Sequence, residues 1–223
     1  MFLIGYNIVR GDIMDLKRYY KEKDITVCVT GHRDICISPT DDNAKQVIKL
    51  FLELIDALYK KGKRRFVSGG ADGVDNLFAY AVSIYKKTHN DIENVIAIPF
   101  KDQYNFPLFN KQRSDELNKK WFNFYRYIMS HADTKIYVDT LAEYKVNNTI
   151  VGKFNAQKFF KRNEFMVDIS SIVIDIFRGE VADKAAGPRS GTKHCINYAI
   201  KKERIVIHMN PENNFKKQYI VPV

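Results

Sequence analysis

Several short segments of this chain combine glycine, hydroxyl and cationic side chains in patterns that suit an anionic ligand. Thr30-Gly31-His32-Arg33 follows an apolar run; the glycine lets backbone N–H groups come close to a ligand, and Thr30 and Arg33 can bind phosphate oxygens. Ser68-Gly69-Gly70-Ala71-Asp72-Gly73-Val74-Asp75 runs glycines and a serine straight into a predicted helix. The free N–H groups and partial positive charge of such a helix start attract anions, and Asp75 can cap the helix or bond a ribose hydroxyl. Its spacing is neither the dinucleotide fingerprint GxGxxG nor a Walker loop. Ser190-Gly191-Thr192 opens another predicted helix and makes a second cradle of the same kind. Arg162 and Asn163 lie one turn from Met166, a core-facing residue, and from a helix edge could reach the same crevice. The plainer readings are tight turns, an N-cap and an exposed basic edge. In the ligand reading Gly69 and Gly191 allow close backbone approach and Arg33 and Arg162 pair with phosphates. Arg162→Ala is then expected to weaken binding without unfolding the chain.

The elements that must position these residues follow from hydrophobic periodicity. Ile25–Thr30, Arg65–Ser68, Val95–Pro99, Lys135–Val138, Ser171–Phe177 and Arg204–Met209 read as strands, the first and third of them buried. Asn43–Lys61, Gly73–Lys87, Leu108–Ser130, Phe159–Val167 and Gly191–Lys202 read as helices. Strands alternating with helices predict an α/β fold, a Rossmann-like three-layer sandwich with a mainly parallel sheet. Ligands of such sheets bind outside the carboxyl ends of the strands, where the strand order reverses. Every candidate segment above stands at or beside a strand end. Residues 1–22 read as an N-terminal extension and 23–223 as one domain, with a loop or excursion at about 141–157.

Of 223 residues, 36 are Lys or Arg and 26 Asp or Glu, giving a net charge of +10, which favours nucleotides, nucleic acid or acidic surfaces as partners. Three cysteines with no CxxC pair make neither a disulfide framework nor a zinc site, so no metal and no cofactor are expected. The apolar start, Met1–Val9, is too short to span a membrane and lacks a basic lead, which points to the cytoplasm, or to the host cytoplasm if the gene is viral.

Taken in order, VTGHR (Val29–Arg33), SGGADGVD (Ser68–Asp75), RNEFMVDIS (Arg162–Ser170) and SGTKHCINYAIKK (Ser190–Lys202) resemble the SLOG superfamily of Rossmann-like nucleotide-binding domains, nearest to YpsA-like bacterial and phage proteins. The resemblance covers about residues 25–211. It implies a ligand between the glycine loops, and it implies homodimers or higher oligomers, with Lys111–Tyr127 a candidate joining surface. The superfamily includes cytokinin-activating phosphoribohydrolases, the DNA-processing protein DprA, and domains that bind ADP-ribose-type signals.

Three functions follow from that resemblance. A binder of an ADP-ribose-like or cyclic nucleotide signal, acting as a sensor or as a phage sponge for a host immune signal, needs only the glycine loops, helix starts, hydroxyls and arginines. A nucleotide N-glycosidase needs more. In the phosphoribohydrolases an arginine, matched by Arg162, works with a glutamate, and the corresponding stretch here is Lys193-His194-Cys195, with no carboxylate to stabilise an oxocarbenium ion. Glu164 or Asp168 could substitute only if geometry allows. A DprA-like binder of single strands would use the charge together with Tyr104, Phe106, Trp121, Phe122, Phe124, Tyr125 and Tyr127, although aromatics at helical spacing more often build a core. Binding of a small nucleotide-type molecule without catalysis is the expectation, with nucleic acid the less favoured partner.

Overall fold

The computed structural model describes residues 12–105, 113–179 and 190–221. Its strands are β1 (Thr26–Gly31), β2 (Arg65–Ser68), β3 (Glu93–Ile98), β4 (Thr134–Tyr137), β5 (Ile172–Ile176), β6 (Ile205–Met209) and β7 (Lys217–Ile220). The helices are α1 (Asp12–Lys21), α2 (Asp42–Lys60), α3 (Val74–Tyr85), α4 (Asp115–His131), α5 (Ala156–Asp168) and α6 (Gly191–Lys201). All seven strands form one sheet in the order β4-β3-β2-β1-β5-β6-β7. Every pairing is parallel except the last, where β7 returns antiparallel along β6.

Alternate residues of each strand enter two different cores, as the pleat requires. Val27, Val29, Ile174 and Ile176 pack with α2, α3 and Trp121 of α4. Cys28, Val67, Val173 and Val206 pack with Tyr19 of α1, Phe165–Val167 of α5 and Cys195 and Ala199 of α6. Helices on both faces explain why the central strands read as unbroken apolar runs. Among the exceptions is Asp175 in β5, fully buried, which accepts a hydrogen bond at 2.7 Å from His208 Nδ1 of the paired strand β6.

Caps set several boundaries that periodicity placed elsewhere. Asp41 accepts from Ala44 N and starts α2, and Ser114 accepts from Leu117 N and starts α4. Asn155 accepts from Gln157 N, so α5 begins at Ala156 rather than at Phe159. Leu108–Gln112, the start of the third expected helix, lies outside the described residues. The segment read as an N-terminal extension carries α1, whose Tyr19 is buried in the α5/α6 core. Strand β7 was not expected, because KQYI is polar and largely exposed. Among the described residues no helix is long and apolar enough to cross a membrane.

Candidate functional site

The strand order reverses at β1, which leads to α2 on one face while its neighbour β5 leads to α6 on the other. The crevice that a parallel sheet opens at such a point is present at the carboxyl ends of these strands, as a cleft of about 400 Å³. Thr30–Arg33 form one wall, Ser190–Thr192 a second, and Ala156, Phe159, Phe160, Arg162 and Asn163 of α5 a third, with Ala71 and Asp75 reaching in from the β2–α3 turn.

Side chains tie these walls together. Thr192 Oγ1 donates to the Gly31 carbonyl at 2.9 Å, joining the start of α6 to the end of β1. Asn163 Nδ2 donates to the Gly191 carbonyl at 2.8 Å, joining α5 to α6. Gly31 is required by packing, since a Cβ there would come within 2.6 Å of the Val74 side chain. Gly191 is different: a Cβ there would meet only Asn163 Nδ2, at 3.9 Å, so its backbone faces open space.

Arg162 Nη1 pairs with Asp75 Oδ2 at 3.2 Å, each side chain only 7% exposed. Burial pushes the Asp75 carboxyl above the usual carboxylate range, with Arg162 pulling the other way. Arg162 Nε has no hydrogen-bond partner. This pairing changes what Arg162→Ala would do. The substitution would strand a buried carboxylate, an outcome that is strongly destabilising, so it is a poor test of binding.

Arg33 is the cleaner cation. It is exposed at the cleft mouth, and its guanidinium lies over the Phe159 ring at 5.4 Å with no ion pair among the described residues. Crowding by protein, then repulsion from Arg162, push it down from its ordinary value, but an exposed guanidinium stays protonated. His32 Nε2 accepts from Arg178 N at 2.8 Å, which places the imidazole proton on Nδ1. Burial and Arg178 lower its pKa, so the ring on this wall is neutral near pH 7.

Ser68, Gly69 and Gly70 do not line the cleft. Ser68 is buried with its hydroxyl unpartnered, and the Gly69 and Gly70 carbonyls accept from Gln103 Nε2 at 3.3 and 3.0 Å. Gly69 makes room for a guanidinium rather than a ligand, since a Cβ there would lie 1.1 Å from Arg162 Nη1. Geometry does not bring Glu164 or Asp168 into the cleft. Glu164 faces Lys161 and His194, and Asp168 accepts from Tyr144 and Tyr198. In the stretch Lys193-His194-Cys195, where the resemblance would place a glutamate, Cys195 is fully buried in the core. His32, Ala71, Ala156, Phe159 and Phe160 were missed in the sequence, although His32 could have been found by its place directly after a strand end.

The aromatic run of α4 is mostly inward. Trp121 is fully buried and donates from Nε1 to the Ile37 carbonyl at 3.0 Å, Tyr125 is buried, and Phe124 packs edge-on to Trp121. Phe106 and Lys111 lie outside the described residues.

A family model described as the YspA SLOG family, YpsA, matches residues 27–212. The chain belongs to this SLOG family. Membership supports, at a general level, the binding of nucleotides or nucleic acid. The chain is similar to the uncharacterized SPbeta prophage-derived protein YoqJ of Bacillus subtilis (strain 168), at 35% identity over 172 residues, covering 75% of this chain and 89% of that protein. In fold it is similar to DNA processing protein A of Streptococcus pneumoniae, at 20% identity and a TM-score of 0.48, over 85% of this chain and 51% of that one. It is also similar to DNA processing protein A of Helicobacter pylori, whose structure describes a single-stranded DNA binding mode. That likeness is at 17% identity and a TM-score of 0.45, over 86% of this chain and 67% of that one. The chain thus spans about half the length of the first of these structures.

Proposed function

We propose that the cleft of this SLOG protein binds a nucleotide-type ligand without turning it over, an ADP-ribose-like or cyclic nucleotide signal being the class that fits. The observation that carries this reading is a cation without an ion pair among the described residues, Arg33, in a cleft that is also lined by a helix start with an open glycine, Gly191. Amide hydrogens at such a start and a guanidinium together suit phosphoryl oxygens. Phe159 and Phe160 give the same cleft an apolar side for a base or ribose. Asp75 is the one carboxylate among its described lining residues, and it already serves Arg162. Similarity to a prophage-derived protein suits sequestration of a signal, alongside the alternative of a sensor.

The test is a thermal-shift and calorimetric screen of ADP-ribose and cyclic nucleotides, followed by chromatography of the recovered ligand. The wild type is expected to melt higher with at least one of them and to return it intact. Arg33→Ala should weaken that binding by about tenfold or more, the loss of a charge-assisted contact, while leaving the unliganded melting point nearly unchanged. No shift with any nucleotide would remove the reading, and rapid conversion of the ligand would replace it with catalysis.

A further inference from the structure

Helix α4 carries a second apolar stripe beside its buried one. Trp121, Tyr125 and Ile128 enter the core, while Phe122 and Met129, a quarter-turn away at helical spacing, stay half-buried with Arg126 between them. Facing this stripe are Ile98 at the end of β3 and Lys135 and Tyr137 of β4. Lys135 and Tyr137 share the α4 face of the sheet, because Ile136 between them packs into the opposite core. Strand β4 is the edge of the sheet, so among the described strands none covers this side. The result is a hollow of about 490 Å³, at least as large as the cleft and sharing no lining residue with it.

The charges around the hollow are of one sign. No carboxylate is among its lining residues, whereas Arg126 and Lys135 both reach it and both are exposed. Arg126 has Phe122, Asn123, Met129 and Ser130 three and four positions away, so α4 offers it no carboxylate. Asp133, two residues before Lys135, is committed elsewhere: it accepts from Lys86 Nζ and, at 2.8 Å, from Asn94 N. Among the described residues neither Arg126 nor Lys135 makes an ion pair. An apolar hollow with a few convergent polar groups is the usual build of a small-molecule site.

We propose that this hollow is a second ligand site, which takes a planar aromatic anion. Phe122, Met129 and Tyr137 supply ring and thioether contacts to the aromatic part. The Arg126 fork and the Lys135 ammonium supply the charge that a carboxylate or phosphoryl group needs. A second copy of this chain is a poor occupant, since it would bring the same cations face to face.

The experiment titrates the folded protein with the fluorescent dye anilinonaphthalene sulfonate and with phenylnaphthylamine, the same rings without the sulfonate. The wild type should bind the sulfonate dye. The double variant Arg126→Gln, Lys135→Gln should lose about tenfold or more in affinity for it and less than about twofold for the neutral dye. Phe122→Ala should weaken both dyes. Both substituted cations are exposed, so the double variant should melt near the wild-type temperature, and it carries the test if Phe122→Ala does not fold. Equal affinity of the double variant and the wild type for the sulfonate dye, or no dye bound by the folded wild type, overturns the site. So does a loss of dye binding in Arg33→Ala, which would assign the dye to the cleft instead. Displacement of the dye by indoleacetate makes an aryl carboxylate the source of the ligand, and displacement by AMP makes it a nucleotide. Displacement by neither overturns the proposal. Each of these failures leaves the cleft reading standing, because the two sites have no residue in common.

Discussion

Gly69 shows how a residue type can be legible in a sequence while its reason is not. A glycine after a strand suggests room for a ligand, but here the room is taken by the Arg162 guanidinium crossing the end of β2 to reach Asp75. The glycine, the arginine and the aspartate were all visible as candidates. Their mutual contact was not, because it depends on α3 and α5 approaching from opposite faces of the sheet. That contact makes a pH prediction possible. Burial raises the Asp75 pKa above its ordinary 3.8, and Arg162 only partly offsets this. Below that ordinary value both folded and unfolded chains hold the proton, and the stability tied to this group is fully present. As pH rises the unfolded chain ionises first, and stability is lost until the folded pKa is passed. Asparagine does not titrate. Denaturant unfolding at about pH 4 and about pH 7 should therefore show the stability difference between wild type and Asp75→Asn moving against the wild type at the higher pH. A difference that moves the other way would mean that Arg162 outweighs burial.

Periodicity found each of the six parallel strands to within a residue or two, including the edge strand β4 with its exposed lysine. At the other edge of the sheet the signal faded. Strand β7 pairs only with β6 and carries exposed lysine and glutamine, so nothing in its composition marks it. The stretch at 141–157 had no period because a buried ion pair organises it. Lys158 Nζ donates to Asp139 Oδ2 at 2.8 Å and to the Ile150 and Lys153 carbonyls at 2.7 and 2.8 Å, while Gly152 N donates to the same carboxylate oxygen. A lysine two residues into a helix looks like a solvated charge, and only the fold shows it clipping the loop to the start of α5, beside the cleft residues Ala156 and Phe159. Lys158→Ala should cost about 3–5 kcal/mol, because it leaves the Asp139 carboxylate and two carbonyls buried without the cation. Urea unfolding measures that cost. Limited proteolysis should find new cleavage within 145–153, and an unchanged digestion pattern would show that the clip does not hold the loop.

For the molecule as a whole, the deciding fact is one that no sequence pattern contains: which strands are neighbours. Two glycine loops share one ligand directly only if their strands are neighbours, and the order β2-β1-β5 separates the loops after β2 and β5 by the β1 turn. The pair that meets is the end of β1 and the start of α6, joined by the Thr192–Gly31 hydrogen bond. The same whole-molecule view weighs the net charge of +10. A single-strand binder combines a basic track with aromatic faces open for stacking. Here Trp121 and Tyr125 are turned into the core, and Phe124 packs against Trp121 and Tyr80. The open aromatics of the site, Phe159 and Phe160, belong to a cleft closed on three sides, which suits one nucleotide rather than a continuing strand. Salt dependence separates the two, since binding a strand releases one counterion for each phosphate neutralised. A ligand meeting about two cations should lose less than about tenfold in affinity between about 50 and about 200 mM salt, whereas a strand spanning about six phosphates would lose some hundreds-fold. We expect ADP-ribose to follow the shallow dependence and oligothymidylate to compete poorly with it. Oligothymidylate that binds more tightly than ADP-ribose and fades steeply with salt would move the function from a nucleotide cleft to a nucleic-acid surface.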